Sequence, residues 1–342
     1  MTEITDKEDN TRMKVMINHC ETYLGHTSLL AGIKKGFIEG ALGAAYFYLG
    51  LNYLTAKKTL EDNLKYLNTY ESENHSAIIL TSGYLANVYR ILGSYEKGQS
   101  LILEKLQFYK DYFSKNLAAK AWFLGWLGNI HRDLGNYEKA RTLFEEALTI
   151  YKSYPAVHPN KRAWVLAYLG LVYKDLGDLA MAKALLEESV TIYHTSLSKT
   201  HSRAGWSLAL LGSVYRALGD YRKAENLIEE GIAICKSNFF ENHEVLRFQT
   251  YELANLYIDT RKYDEAENLL GQSLRGYKEY YDNNKIAKAR VLMSLGRLFL
   301  LKGDRRLAED YMKQALVIFQ QEGHPDKYKC MQILEGIARV AN

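Results

Sequence analysis

Small, aromatic and apolar residues recur along this chain with a period of 42 residues. The clearest marks are glycines, at Gly93, Gly135, Gly177, Gly219 and Gly303, and positions 51 and 261 complete a series of seven anchors at 51, 93, 135, 177, 219, 261 and 303. A small residue lies seven positions before each anchor, and an aromatic residue or histidine lies four before it, so the two share one helix face. A second apolar stretch follows each anchor. The period therefore predicts seven pairs of helices with a turn at each anchor.

Elementary packing explains why such pairs must stack. A glycine ends the first helix because it adopts the left-handed backbone conformation that many helix ends require. Small residues let two antiparallel helices approach closely, and neither helix buries its apolar face alone. Successive pairs therefore bury that face against each other, which predicts an all-α solenoid over residues 34–325.

One repeat carries a resemblance to a known family. It reads Trp126-Leu127-Gly128-Asn129, then Leu134-Gly135-Asn136-Tyr137-Glu138-Lys139-Ala140, then Glu146-Ala147-Leu148. This segment resembles the tetratricopeptide repeat, whose usual period is about 34 residues. The longer period, with loops such as Ala156-Val157-His158-Pro159-Asn160, looks like the repeats of kinesin light chain and of bacterial NB-ARC-type proteins. The resemblance implies a right-handed superhelical solenoid of about seven helix pairs that binds a partner.

Two further apolar stripes predict a cap helix at each end of the solenoid. The first, Met13, Met16, Ile17, Cys20 and Leu24, lies in a polar N-terminal segment and cap helix at 1–33. The second, Met331, Leu334, Ile337 and Ala338, lies in a C-terminal cap helix at 326–342. Leu51 and Arg261 stand where the pattern expects glycine, so those two turns depart from the repeat.

Composition narrows the class of partner. The chain has 44 Lys and Arg residues against 40 Asp and Glu residues, so no strong overall field attracts nucleic acid or an anionic membrane. Its three cysteines have no metal-binding spacing, and its start lacks an export signal, which favours the reducing cytoplasm. The stretch Gly36–Ala56 is apolar enough to suggest a membrane helix, but Glu39, Asn52 and Lys57 interrupt it.

Catalytic signatures are absent from the sequence. It has no phosphate-binding loop, zinc-protease motif or nucleophile elbow, so we expect no enzyme activity, no cofactor and no metal. Histidines recur between repeats at His75, His158, His201 and His243. They suggest either a metal ladder or, as we favour, groups that satisfy the start of each following helix.

The candidate site is the concave groove that the first helices line. Positions thirteen, ten, six and three before each anchor share the inward face. They supply an aromatic ladder (Trp122, Trp164, Trp206 and Phe248), a basic ladder (Arg90, Arg132, Lys174 and Arg216) and three amides (Asn87, Asn129 and Asn255). Aromatic and arginine side chains carry much of the energy of interfaces, and amides can hold a peptide backbone. We therefore predict a protein or peptide partner with acidic and apolar groups.

Alternatives remain open for both ladders and for the whole array. The rings could pack against the preceding second helix, and the cations could pair with Asp133, Asp175 or Asp259. The array could instead be a regulatory sensor that controls a partner or an effector domain by changing conformation. RNA binding is disfavoured by the balanced charge.

Overall fold

The computed structural model describes residues 39–46, 53–69, 75–153, 158–197, 199, 201–237, 239, 243–280 and 284–339. Within these ranges the regular elements are all helices. A first pair comprises α1 (39–46) and α2 (Tyr53–Asn68), and the second comprises α3 (His75–Ile91) and α4 (Tyr95–Phe108). A short helix α5 (Lys110–Lys115) precedes the third pair, α6 (Leu117–Asp133) and α7 (Tyr137–Lys152).

Four more helix pairs follow along the chain. They are α8 (Pro159–Leu176) with α9 (Leu179–Ser196), α10 (Ser202–Ala217) with α11 (Tyr221–Lys236), α12 (Glu244–Asp259) with α13 (Tyr263–Tyr280), and α14 (Lys285–Lys302) with α15 (Arg305–Gln321). The final helix is α16 (Asp326–Arg339). The predicted all-α repeat solenoid is confirmed.

Each described anchor adopts the left-handed conformation that the pattern predicts. At Gly135 φ is +78°, its amide donates to the carbonyl of Arg132, and the next amide donates to the carbonyl of His131. Arg261 keeps the same turn at φ +63°, although a side chain is strained there. Arg261 therefore differs from the other anchors in residue type but has the same backbone conformation. The turn at Leu51 lies outside the described residues.

Small residues seven positions before the anchors allow the two helices of a pair to touch. At Gly128 an added Cβ would lie 2.9 Å from Cε2 of Phe144, and at Gly170 it would lie 2.8 Å from Cγ of Leu186. Real Cβ atoms are not found that close to a ring or a branched carbon, so larger residues would force the helices apart. The small residues thus set the spacing within each pair.

The solenoid winds back upon itself, so repeats far apart in sequence touch. The side-chain Nδ2 of Asn284 donates to the carbonyl of Ile91 at 2.9 Å. The hydroxyl of Tyr95 donates to the side-chain Oδ1 of Asn284 at 3.2 Å. Pro325, before α16, packs on Gly135 in the third pair. The second pair therefore meets the seventh, and the third meets the helix after the seventh, so one superhelical turn takes about five pairs.

A buried hydrophobic cluster crosses this contact between turns. Tyr95 on α4, Tyr277 on α13 and Ile286 on α14 all belong to it. No described helix combines the length and the apolar character needed to cross a membrane. The stripe at Met13–Leu24, and parts of the stretch at Gly36–Ala56, lie outside the described residues.

Candidate functional site

Three members of the basic ladder pair with an aspartate of the next repeat. The pairs are Arg90 with Asp133 at 2.6 Å, Arg132 with Asp175 at 2.8 Å and Arg216 with Asp259 at 2.8 Å, each 43 residues apart. Arg90 and Arg132 are buried and Arg216 is partly buried. The cations of the inward face are therefore held in ion pairs that repeat along the solenoid, as the alternative interpretation of the ladder allowed.

Lys174 has a different partner. Its Nζ donates to Oε1 of Glu252 at 3.1 Å and to Oγ of Ser213 at 2.9 Å, and Arg216 also reaches Glu252, at 3.4 Å. Burial by itself raises the pKa of the Glu252 carboxyl, but the charges of Lys174 and Arg216 outweigh it and leave that pKa lowered. Glu252 is thus an ionised carboxylate inside the groove.

The tryptophans of the aromatic ladder sit on small residues of the preceding first helix. The ring of Trp122 covers Gly83 and the ring of Trp164 covers Gly125 so closely that neither glycine has room for a Cβ. Trp164 also meets Trp126 edge to face, with ring centroids 4.7 Å apart. The rings therefore lie between neighbouring first helices, where they contribute packing and leave partly exposed faces at Trp122 and Trp164.

The three amides of the inward face are all buried. Oδ1 of Asn87 accepts from Nε of Arg90 at 2.7 Å, and Oδ1 of Asn255 accepts from the hydroxyl of Ser294 at 2.9 Å. The Nδ2 of Asn129 has no hydrogen-bond partner among the described residues. Asn129 therefore retains a donor inside the third repeat, while Asn87 positions the Arg90 guanidinium.

A cavity of about 130 Å³ lies where the two turns of the superhelix face each other. Its walls combine four arginines, two carboxylates and a group of aromatic rings, which include Arg90, Arg132, Arg247, Arg290, Asp133, Glu244, Tyr168, Trp206, Phe248 and Tyr251. Such a space is close to that of a cavity of about 150 Å³ that holds benzene. In this conformation it accommodates one side chain, whereas most ligand sites span about 300–1,000 Å³.

The cavity brings together only part of the predicted site. Arg90, Arg132, Trp206 and Phe248 line it, whereas the other predicted residues lie elsewhere on the inward face. Sequence reasoning missed Glu244 and Arg290. Arg290 stands thirteen positions before the anchor at 303, where the aromatic ladder would continue, and that break in the pattern was a usable signal. Glu244 has no counterpart in the repeat pattern of the inward face.

Histidines between repeats cap the helices that follow them. The Nδ1 of His201 accepts from the amide of Arg203, and the Nδ1 of His243 accepts from the amide of Val245, both at 3.1 Å. His324 caps α16 in the same way through the amide of Asp326. The interpretation of these histidines as helix-start groups is confirmed for His201 and His243. It is wrong for His158, which precedes α8 but whose side chain forms no capping hydrogen bond, because Pro159 begins that helix.

A third ladder, the tyrosine–glutamate ladder, joins four of the first helices to the preceding second helix. The tyrosine four positions before the anchor donates to a glutamate 28 residues earlier, in the pairs Tyr89–Glu61, Tyr173–Glu145, Tyr215–Glu187 and Tyr257–Glu229. In the third pair His131 replaces the tyrosine, and Leu103 replaces the glutamate and is 46% exposed. Neither ring nitrogen of His131 has a partner among the described residues, and burial lowers its pKa to about 4.

Comparison with known proteins agrees with this repeat geometry. A family model described as "Tetratricopeptide repeat" matches residues 75–153, 161–237 and 246–321. No curated protein matches the chain. Among solved structures, a putative kinesin light chain of Podosopora anserina with TPR-like repeats is 23% identical, with 58% of this chain and 93% of that chain covered and a TM-score of 0.42.

Two other solved structures cover more of the chain. The Rap conjugation gene regulator of the plasmid pLS20, in complex with a Phr peptide, is 18% identical, with 86% of this chain and 78% of that chain covered and a TM-score of 0.61. Aspartyl phosphate phosphatase F from Bacillus subtilis is 13% identical, with 83% of this chain and 71% of that chain covered and a TM-score of 0.56. At these identities the likeness concerns the fold alone.

Proposed function

This chain belongs to the tetratricopeptide repeat family, and from that premise we propose that it is a protein-interaction scaffold whose concave groove holds a peptide segment with acidic and apolar groups. The observation that carries the proposal is the cavity between the turns, where arginine and aromatic side chains converge. Those residue types dominate the energy of protein interfaces. A fold of the same kind holds a peptide in the plasmid pLS20 regulator.

The size of the cavity constrains how a peptide is held. A space of about 130 Å³ takes one side chain, so the rest of the segment lies along the groove. Partly exposed members of the predicted site are available for direct contact: Trp122, Trp164, Lys174, Arg216 and Phe248. The buried members form the floor beneath them: Asn87, Arg90, Asn129, Arg132, Trp206 and Asn255.

Binding without catalysis is part of the same proposal. A general acid or base works best when its pKa lies near the operating pH. Burial raises the pKa of Asp133, but Arg90 and Arg132 outweigh that effect and leave it below the ordinary value, and the pKa of Glu252 is lowered in the same way. Carboxylates held ionised in this manner suit ion pairing with a ligand or with the chain itself.

The net charge of the chain supports a proposal about its partner, and its cysteines support one about its location. A formal net charge of +4 over 342 residues provides little attraction for nucleic acid, so we propose a protein partner whose binding depends weakly on salt. Cys235 and Cys330 are buried thiols outside any disulfide, which fits a reducing, cytoplasmic location.

A regulatory sensor array is the second candidate, and the contact between turns favours it. Because Arg90 on α3 pairs with Glu244 on α12, a ligand at the cavity is placed to change how closely the turns approach. Such an array would pass that change to a partner or an attached domain. Small-angle scattering with and without a selected peptide separates the two functions, because a plain scaffold keeps its radius of gyration.

The experiment for the scaffold function is selection of a displayed random 12-residue peptide library on the immobilised chain. The selected peptides are then titrated against Phe248→Ala, in the cavity wall, and Phe108→Ala, whose ring is 64% exposed on α4 outside the cavity. We expect Phe248→Ala to weaken binding about 30-fold, the effect of a hot-spot residue, and Phe108→Ala to leave it unchanged. Equal binding by Phe248→Ala and the unaltered chain would contradict the proposal.

A further inference from the structure

The two carboxylates that hold Arg90 have different origins. Asp133 comes from the next repeat at 2.6 Å, and the same spacing recurs at Arg132 and Arg216. Glu244 comes from the facing turn, 154 residues away, and lies 2.5 Å from the Nη2 of Arg90. One carboxylate therefore belongs to the repeat itself, whereas the other is present only because the turns face each other.

From this difference we propose that Glu244 occupies the place that a ligand carboxylate takes on Arg90, so that an acidic peptide enters the groove by exchanging with Glu244. The inference rests on the proposed peptide-binding function and adds the place at which the ligand carboxylate binds. It makes α12 an internal competitor for the groove. The group that competes with it is the side chain of an aspartate or glutamate.

Burial explains why the exchange must be one carboxylate for another. The side chain of Arg90 is 7% exposed, so removing Glu244 without replacement would leave a buried guanidinium short of a partner. The side chain of Glu244 is 29% exposed and starts α12, so it can turn outward into water. A ligand carboxylate restores the charge balance at Arg90, while Glu244 regains its hydration.

The walls of the cavity define what accompanies the carboxylate. Tyr168, Trp206 and Phe248 line the space next to Arg90 and Glu244. Rings of this kind favour an apolar or aromatic side chain beside the acidic one. The preferred segment is therefore a single acidic residue next to a large apolar residue.

Glu252 limits how acidic that segment can be. It lies eight residues after Glu244 on α12, which is about 12 Å along a helix. An extended peptide covers that distance in about four residues. Because Glu252 and Asp259 already pair with Lys174 and Arg216, a second ligand carboxylate at that distance meets cations whose charge is balanced. We expect acidic residues to be depleted about four positions from the selected one.

Exchange at Arg90 also releases a contact between turns. Within the described residues the turns are joined by the carboxylate of Glu244 at Arg90, by the amide of Glu244 at the hydroxyl of Tyr53, and by Asn284 at Ile91 and Tyr95, and the exchange releases only the first of these contacts. The inference therefore links ligand binding to the pitch of the superhelix, since an outward Glu244 no longer ties α12 to α3. Binding of an acidic peptide should therefore increase the radius of gyration, which is the behaviour of the sensor array and not of a plain scaffold.

The test uses the full chain and a displayed random 12-residue peptide library with equal representation of all residues. Selections run in parallel on the unaltered chain, on Glu244→Gln and on Glu322→Gln. Glu322 is a matched control, because its side chain is 28% exposed and pairs with Lys285 at 3.5 Å away from the cavity. Glu244→Ser is a second variant that keeps a polar side chain at the start of α12, and melting curves confirm that each variant folds.

We expect peptides with one acidic residue beside a large apolar one, and we expect Glu244→Gln to bind them about tenfold more tightly because the competitor is gone. Glu322→Gln should match the unaltered chain. Equal affinity of acidic peptides for Glu244→Gln and the unaltered chain would overturn this inference and leave the scaffold function standing. Enrichment of peptides without acidic residues would overturn both the inference and the acidic character proposed for the ligand, but not peptide binding in the groove. If no peptide is enriched on any of the three proteins, both proposals are wrong.

Discussion

Neighbouring repeats meet through contacts that recur along most of the solenoid, whereas the successive turns meet through fewer and more varied contacts. Arginine–aspartate pairs span 43 residues and tyrosine–glutamate pairs span 28, again and again along the chain. Between turns, by contrast, the ion pair Arg90–Glu244 has no counterpart among the described residues, and the contact that does recur is a tyrosine two positions after an anchor, where Tyr53 accepts from the amide of Glu244 and Tyr95 donates to Asn284. The repeat sequence therefore specifies how one pair packs on the next, and the pitch that follows from many such steps decides which turns touch.

Removing a ring from the aromatic ladder should weaken the packing between neighbouring repeats the most. Trp164 packs against all three buried clusters of the described residues. We expect Trp164→Ala to lower the free energy of unfolding by about 3 kcal/mol, because a large ring leaves a cavity over Gly125. Urea denaturation measures the loss. Trp164→Phe keeps part of the ring and should lose less, and a loss below about 1 kcal/mol in Trp164→Ala would show that the ring packs weakly.

The third repeat offers a test of the tyrosine–glutamate ladder through pH. Burial lowers the pKa of His131 to about 4 from an ordinary value near 6.5, so the unfolded chain binds a proton at higher pH than the folded chain does. The contribution to stability is complete above pH 6.5. It falls as pH drops toward 4, by up to about 3 kcal/mol.

The double variant His131→Tyr with Leu103→Glu rebuilds the pair that the other repeats contain. We expect it to lose less unfolding free energy between pH 7 and pH 4.5 than the unaltered chain, as measured by urea denaturation at both pH values. His324, whose pKa burial also lowers to about 4, remains in both proteins and supplies a common background. Identical pH dependence in the two proteins would mean that His131 does not titrate as its burial predicts.

Arg261 allows the turn itself to be compared with its neighbours. Its φ of +63° strains an ordinary residue, so we expect Arg261→Gly to raise the free energy of unfolding by about 1 kcal/mol. Gly219→Ala is the matched control, because no atom lies within 4 Å of the added Cβ and only the backbone at φ +83° is affected. That variant should lose about the same amount. A neutral result in both would show that the turn tolerates side chains.

The smallest effect on stability is expected where the turns meet. Asn284→Ser keeps a good cap for α14 but is too short to reach Ile91 or Tyr95. We expect a loss below about 1 kcal/mol, together with a larger radius of gyration in small-angle scattering. Asp304→Ser, which keeps the cap of α15 without any contact between turns, is the control. An unchanged radius in Asn284→Ser would show that the apolar cluster alone holds the turns together.

Sequence reasoning was most successful for features that are set by residues at fixed positions of the 42-residue repeat. The helix pairs, the turn at Gly135 and the helix-start role of His201 all follow from residues at fixed positions. Local chemistry decides each of them, because a turn or a cap involves only a few neighbouring residues.

The cavity was not predictable in the same way. The pairing of Lys174 with Glu252 and of Arg90 with Glu244 depends on which repeats face each other across the groove. That arrangement results from a small rotation between neighbouring repeats, which adds up over two repeats for Lys174 and over four for Arg90, and the sequence of a single repeat does not show the total. Arg290, at an aromatic position of the pattern, was the one irregularity that pointed toward this region.

The hydrogen bond between Asn284 and Ile91 joins residues 193 positions apart. A chain made at about 5–20 residues per second therefore waits roughly 10–40 s before Asn284 follows Ile91 out of the ribosome. Contacts between adjacent repeats form early because they are short in sequence, and closure between turns comes last. During that interval the edge at Ile91, Tyr95 and Gly135 is uncovered in the newly made chain.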